Sequence, residues 1–166
     1  MDSVQQQRPA FKTLRLKRDV YADGGIRPDV VVPSDTTKVS DYMVKVVAKG
    51  VYNEFLLDYL DRNRDSLKHS YPTFEHFDKE FCLADEQLQR LVELASVKGV
   101  VYDEAGFVLS KELMRTQLSA MVAQRLFSTS EYYRYINPRI NDSYKRVISI
   151  ISEKTTSYDQ LLKSLL

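Results

Sequence analysis

Near the start of the chain, over residues 11–16, the apolar residues Phe11, Leu14 and Leu16 are separated by one or two polar residues, a pattern close to period 2. This period predicts a half-buried β-strand, which residues 17–21 continue after a bend. Residues 22–25, Ala-Asp-Gly-Gly, tolerate positive φ and allow the chain to reverse. Residues 26–33 have the pattern of a second short strand, whose prolines cannot donate ladder hydrogen bonds. The pattern predicts a small N-terminal β-hairpin with its turn at residues 22–25.

From Thr37 onward the hydrophobic period changes to that of a helix. Every fourth position is apolar at Met43, Val47, Val51 and Phe55. This spacing predicts one long amphipathic helix over about residues 39–66. Gly50 lies inside it, where glycine costs about 1 kcal/mol relative to alanine. We therefore expect Gly50 to mark close packing against a neighbouring element.

Two helices are expected between the long helix and residue 100. The first, over residues 73–81, places three aromatic residues on one side: Phe74, Phe77 and Phe81. The second covers residues 85–99, with Asp85 as the expected N-cap and Gly99 as the stop.

Four more helices are expected in the C-terminal part. A wide apolar stripe predicts a helix over residues 110–127, and its apolar positions are Leu113, Met114, Leu118, Met121, Val122 and Leu126. Ser128 and Glu131 have the spacing of a capping box that starts the next helix, and Pro138 is expected to break it. Residues 142–154 and 157–166 predict two final amphipathic helices.

These elements predict a mainly α-helical bundle of five to seven helices behind a small N-terminal β-hairpin. Residues 1–10 are polar and are interpreted as a disordered tail, either natural or added by cloning. Residues 11–36 form the β segment, and residues 37–166 form the helical domain. The stripes Leu113–Leu126 and Leu161–Leu165 are candidates for self-association, although such stripes more often belong to a core.

Composition narrows the class of protein. The chain has 166 residues, 43% of them hydrophobic and 28% charged, which is typical of a soluble globular domain. Its net charge of +1 provides no general attraction to nucleic acid or anionic membranes, so no nucleic-acid partner is expected. No apolar run is long enough for a membrane span, and residues 1–10 have no signal-peptide core. We expect no transmembrane segment.

The sequence contains few candidates for catalytic or metal-binding residues. No serine lies in a nucleophile elbow, and Ser110, Ser128 and Lys111 are interpreted as structural. His69 and His76 are seven residues apart across a turn, without the spacing that puts two ligands on one helix face. They are interpreted as surface residues.

The single cysteine, Cys82, follows an aromatic helix and is expected to be a buried structural thiol. The basic run at residues 12–18 alternates with leucines and is interpreted as a solvated strand face. We therefore predict no catalytic, cofactor-binding or metal-binding residue and no cofactor.

The N-terminal stretch carries a family resemblance. Its matching positions are Phe11, Thr13, Arg18, Val20, Tyr21, Gly24, Gly25, Ile26, Pro28 and Asp29. This pattern resembles the segment that closes the protease core of carboxy-terminal processing peptidases, the tail-specific serine proteases. Lys17 replaces a glycine of the family pattern, and Ala22 with Asp23 replaces two more. The helical part is similar to the C-terminal extension of Bacteroidetes-type members.

The resemblance implies a non-catalytic part of a protease. Members of the family are usually exported, use a Ser–Lys dyad and recognise substrate C-termini, often through a PDZ domain. The dyad motif lies upstream of the Pro-Asp segment and does not occur in this chain, so no catalytic residue is carried over. The PDZ domain is also absent from it. The chain is therefore expected to be inactive alone, as the C-terminal piece of a periplasmic or cell-envelope parent.

The implied partners are the missing protease core of the same chain and the parent's protein substrates. A homo-oligomer through an exposed β edge or through helices is a further expectation. The alternative is a free-standing helical adaptor unrelated to proteolysis. A complete small hydrolase is disfavoured because no nucleophile–base pair is evident.

Overall fold

The computed structural model describes residues 10–14, 17, 19–21 and 30–153. These residues fall into two units, one ending at Pro33 and the other spanning Ser34–Glu153. The second unit contains the seven helices of the described chain. The prediction of a mainly α-helical bundle is confirmed. No described helix has the length and apolarity that crossing a bilayer requires.

The first unit contains a hairpin whose turn differs from the predicted one. Strands β1 (Ala10–Lys12) and β2 (Asp19–Tyr21) pair antiparallel, with Phe11 opposite Val20. The chain therefore reverses between β1 and β2, and the Lys17 amide donates to the Thr13 carbonyl at 3.1 Å in this connection. The predicted turn at residues 22–25 lies outside the described residues. Residues 30–33 form no strand, and Pro33 among them has no amide to donate to a ladder.

The predicted long helix is two helices, α1 (Asp41–Ala48) and α2 (Val51–Ser70). Gly50 separates them in the left-handed conformation, with φ of 69°. A Cβ added there would meet nothing within 4 Å, so the expectation of close packing at Gly50 was wrong. Glycine is favoured because residues with a Cβ rarely adopt this backbone conformation.

Helices α3 (Phe74–Glu80) and α4 (Asp85–Val97) follow. Asp85 is the first residue of α4 and not its N-cap, which is Ala84. The expected stop at Gly99 is confirmed. Gly99 has φ of 78°, and its amide donates to Ser96 while the Val100 amide donates to Ala95. These two bonds form a Schellman motif that satisfies the last carbonyls of the helix.

The last three helices are α5 (Glu104–Leu126), α6 (Thr129–Ile140) and α7 (Asp142–Glu153). Ser128 is the N-cap of α6, as predicted, and its hydroxyl also contacts the Glu131 carboxylate. Pro138 does not break α6, which continues to Ile140. Pro138 has no amide to donate, so one intrahelical hydrogen bond is missing, and only two more residues follow it in the helix.

Helix α5 is the centre of the bundle and packs against α1, α2 and α6. Met114, Leu118 and Val122 are completely buried, and Leu113, Met121 and Leu126 pack against the core at its margin. The stripe proposed for self-association is therefore core. The other stripe, at residues 161–165, lies outside the described residues.

Candidate interaction surface

The side chains of Ser110 and Lys111 contact different parts of the structure. Ser110 is completely buried, and its Oγ accepts from the Ser40 amide at 2.9 Å. The same Oγ lies 2.9 Å from the Lys38 carbonyl and 2.8 Å from Ser40 Oγ. If Ser110 donates to the carbonyl and Ser40 donates to Ser110, all these groups are satisfied. The Lys111 ammonium instead pairs with Asp85 at 2.8 Å. Ser110 therefore fastens the chain ahead of α1 to α5.

The histidines and the cysteine lie near the surface. His69 is exposed, and His76 Nε2 lies 3.0 Å from Glu80 Oε2 within one helical face. The described residues bring together no group of three or more His, Cys, Asp or Glu side chains suited to a metal ion. Cys82 is exposed, so the expectation of a buried thiol was wrong. It lies in an extended link between Phe81 and Leu83, which both face the core and leave Cys82 pointing outward.

The α3–α6 seam, defined by Glu75 and Asp78 on α3 and Arg134 and Arg139 on α6, is closed by charge pairs. Arg134 lies 3.0 Å from Glu75, and Arg139 lies 2.7 Å from the Asp78 carboxylate. Arg139 also donates to the Asp78 carbonyl at 2.7 Å. The pKa of the Glu75 carboxyl is lowered, first by a hydrogen bond from the Glu75 backbone amide and second by a hydrogen bond from Arg134.

Aromatic rings fill the space beneath these charges. The guanidinium of Arg134 lies 4.5 Å from the ring centroid of Phe74, which is within cation–π range. Phe77 is completely buried and stacks on Phe81 with centroids 4.3 Å apart. It also meets the rings of Phe127 and Tyr135 at 5.7 and 5.8 Å. The seam is thus an apolar layer covered by ion pairs between two helices.

A second closed contact joins α4 to α5. Arg115, whose side chain is only 12% exposed, contacts the Asp85 carboxylate and the Leu83 carbonyl. The pKa of Asp85 is lowered to about 2, mainly by a hydrogen bond from Arg115 and secondly by one from Lys111. Asp85 therefore stays ionised at this contact and holds the start of α4 against α5.

Between α2 and α4 the surface remains open. The α2–α4 groove has a volume of about 760 Å³ and is lined by residues of both helices. Phe55 and Leu94 contribute its more buried apolar part. Leu57 on α2 and Val97 at the end of α4 are 62% and 85% exposed. Large apolar side chains that line a depression and remain open to water are typical of a binding surface.

Charged side chains surround the apolar part of the groove. Its lining contains four carboxylates and two guanidinium groups. Glu54 pairs with Lys98 at 2.5 Å, and Asp58 pairs with Arg62 at 2.6 Å. Asp61 and Glu93 form no ion pair within the described part of the chain. Arg90 on α4 also lines the groove without an ion pair among the described residues, so the unpaired charges of the lining leave one net negative charge.

Sequence reasoning missed this groove, although one signal was present. Leu57 is apolar but lies off the four-residue stripe that predicted the buried face of the helix. Val97 likewise directly precedes the Lys98-Gly99 stop. Their proximity across two helices depends on tertiary packing and could not be inferred from spacing.

Helix α7 presents another exposed apolar row. Tyr144, Val147, Ile148 and Ile151 are each at least 40% exposed and follow the spacing of one helical face. Its neighbour in the bundle is α6. Exposed apolar side chains therefore occur in the α2–α4 groove and along the α7 row, among other positions of the described unit.

Comparison with known protein families finds a match for the central helices. A family model described as "Family of unknown function (DUF8443)" matches residues 42–128, just over half of the chain. The chain belongs to this family. The DUF8443 stretch begins at the second residue of α1, includes α2 to α5 and ends on the N-cap of α6. Both helices of the groove lie within it. No curated protein and no solved structure matches the chain.

Proposed function

We propose that this chain is the non-catalytic helical C-terminal domain of a carboxy-terminal processing serine endopeptidase. The observation that carries the proposal is the motif at Phe11, Thr13, Arg18, Val20 and Tyr21, continued by Gly24, Gly25, Ile26, Pro28 and Asp29. It resembles the end of that family's protease core and directly precedes the helical unit. The DUF8443 stretch lies entirely downstream of it.

The geometry of the hairpin supports an origin in a larger sheet. Phe11 and Val20 are cross-strand partners, so their side chains share one face. They are 58% and 44% exposed, and Leu14 is 92% exposed. A two-stranded ribbon with an uncovered apolar face is marginal by itself, and strands of a protease core would complete it. In this proposal the hairpin joins the core and the helices form a structural or interaction module.

The parent would hydrolyse peptide bonds near substrate C-termini with a Ser–Lys dyad supplied from outside this chain. Its location would be the periplasm or cell envelope. The helical module would pack on the core or mediate assembly, and self-association through the β edge or helices belongs to the same proposal.

The test compares peptidase activity of the 166-residue chain with that of its full-length parent on an unfolded protein substrate. We expect cleavage by the parent, loss of cleavage when the parent's nucleophilic serine is replaced by alanine, and no cleavage by the chain alone. A parent reading frame without an upstream Ser–Lys dyad would overturn the proposal. Cleavage by the chain alone would do the same.

The second candidate is a free-standing helical adaptor. It is favoured by the DUF8443 match, which includes the helices of the open groove but not the hairpin. The same reading frame distinguishes the two, because an adaptor needs no protease core upstream.

A further inference from the structure

We propose that the α2–α4 groove binds a cationic amphipathic helix of a partner protein. The inference goes beyond the proposed function and does not depend on it, because every residue involved lies on α2 or α4. It rests on the shape of the groove, its exposed apolar side chains and its unpaired carboxylates.

The shape suits a helix. A valley between two packed helices accepts the side-chain row of a third helix, in the way that ridges fit grooves in helix packing. The volume of about 760 Å³ has room for several side chains of a partner helix. Many amphipathic helices bind proteins by placing their apolar face into such a groove.

The apolar contacts come from both sides of the valley. Leu57 stands on α2 and Val97 stands on α4, and both are mostly exposed. Phe55 is 4% exposed and Leu94 is half-buried, so these two side chains add limited apolar surface between Leu57 and Val97. A partner helix with leucine-like residues at positions i, i+3 and i+4 would cover Leu57 and Val97 together.

The unpaired carboxylates of the groove favour a partner helix whose polar face is positively charged. Asp61 on α2 and Glu93 on α4 have no ion pair among the described residues, whereas Glu54 and Asp58 are already paired. Arg90 also lines the groove, but carboxylates outnumber guanidinium groups in the lining. Lysine or arginine flanking the apolar row would pair with Asp61 and Glu93. An acidic helix or a nucleic-acid backbone would place like charges against them.

The test uses a synthetic amphipathic peptide of about fourteen residues, or four helical turns, built from leucine and lysine. A second peptide has glutamate in place of every lysine. Each is titrated into the ¹⁵N-labelled 166-residue chain, with affinity followed by fluorescence anisotropy. We expect the lysine peptide to bind at least about tenfold more tightly and to shift amides of α2 and α4. Equal affinity of the two peptides, no binding, or shifts confined to other helices would overturn the proposal.

Matched variants locate the contact. Replacing both Asp61 and Glu93 by lysine should weaken the lysine peptide about tenfold or more, because cations would then face cations. Asp65→Lys is the control, since Asp65 is exposed on α2 but does not line the groove. Leu57→Ser should weaken binding, whereas Val44→Ser on α1, at a side chain of similar exposure, should not. A control that weakens binding as much as its groove variant contradicts the assignment.

Discussion

The α3–α6 seam and the α2–α4 groove are both apolar valleys between two helices, flanked by charged residues. In the seam, Arg134 and Arg139 reach across to carboxylates of the opposite helix. In the groove, Asp58 pairs with Arg62 on its own helix. Phe77 beneath the seam is completely buried, whereas Leu57 in the groove is mostly exposed. The crossing pairs of the seam lie over a buried aromatic layer. The groove has one crossing pair, Glu54 with Lys98 at the end of α4, and its large apolar side chains remain exposed.

Removing the aromatic layer of the seam should have the largest effect on the stability of the bundle. We expect Phe77→Ala to lower the free energy of unfolding by about 3–5 kcal/mol, because it leaves a cavity among rings that pack on all sides. Urea denaturation followed by circular dichroism measures the loss. Phe77→Leu, which keeps most of the volume, should cost less. A Phe77→Ala loss below about 1 kcal/mol would show that the seam is not closed as described.

The charge pairs across the seam should matter less than the rings beneath them. Arg139→Met removes bonds to the Asp78 carboxylate, the Asp78 carbonyl and the Tyr135 carbonyl. We expect a loss of about 1–2 kcal/mol in the free energy of unfolding. Arg62→Met, which removes only a pair along α2, should cost about 0.3–0.5 kcal/mol. Equal losses at the two sites would contradict the distinction between crossing and non-crossing pairs.

Lowering the pH should destabilise the contact that Asp85 makes with Arg115. The pKa of Asp85 is lowered from 3.8 to about 2 in the folded chain, chiefly by its hydrogen bond from Arg115. A depressed folded-state pKa contributes stability above the unfolded pKa, and this stability is lost as pH falls from about 4 toward 2. Urea midpoints measured across this range should fall less steeply for Asp85→Asn than for the native chain. Parallel slopes in the two proteins would contradict the assignment.

The smallest effect is expected in the open groove. Leu57→Ala and Val97→Ala should each change the free energy of unfolding by no more than about 0.5 kcal/mol, because both side chains are mostly in water already. Melting temperatures compared with that of the native chain would measure this. A loss of 2 kcal/mol or more at either position would mean that these side chains support the fold instead of a binding surface.

Local signals in the sequence were sufficient for most helices. The caps at Ser128 and Gly99 were predicted because they depend on a few neighbouring residues. The long helix was predicted as continuous because its apolar period runs through Gly50 without interruption. Periodicity reports which face is buried, whereas the left-handed backbone at Gly50 redirects the chain without changing the apolar spacing. Pro138 was given too much weight as a helix breaker, because α6 continues through it to Ile140.

The sites could not be predicted for a different reason. Arg139 and Asp78 are 61 positions apart, and Arg134 and Glu75 are 59 apart. No spacing rule relates residues at such separations. Leu57 and Val97 likewise become a common surface only after α2 and α4 pack. Cys82 was expected inside because it follows an aromatic helix, but alternation in the extended link exposes it.

The contact between Ser40 and Ser110 has a consequence for hydrogen exchange. The amide of an N-cap residue ordinarily has no partner within its helix and exchanges rapidly with solvent. The Ser40 amide instead donates to a completely buried oxygen on α5, the central helix of the bundle. Its deuteration therefore requires the chain ahead of α1 to separate from α5. The exchange rate of this single amide therefore reports how often that segment separates from α5, although Ser40 lies outside any helix.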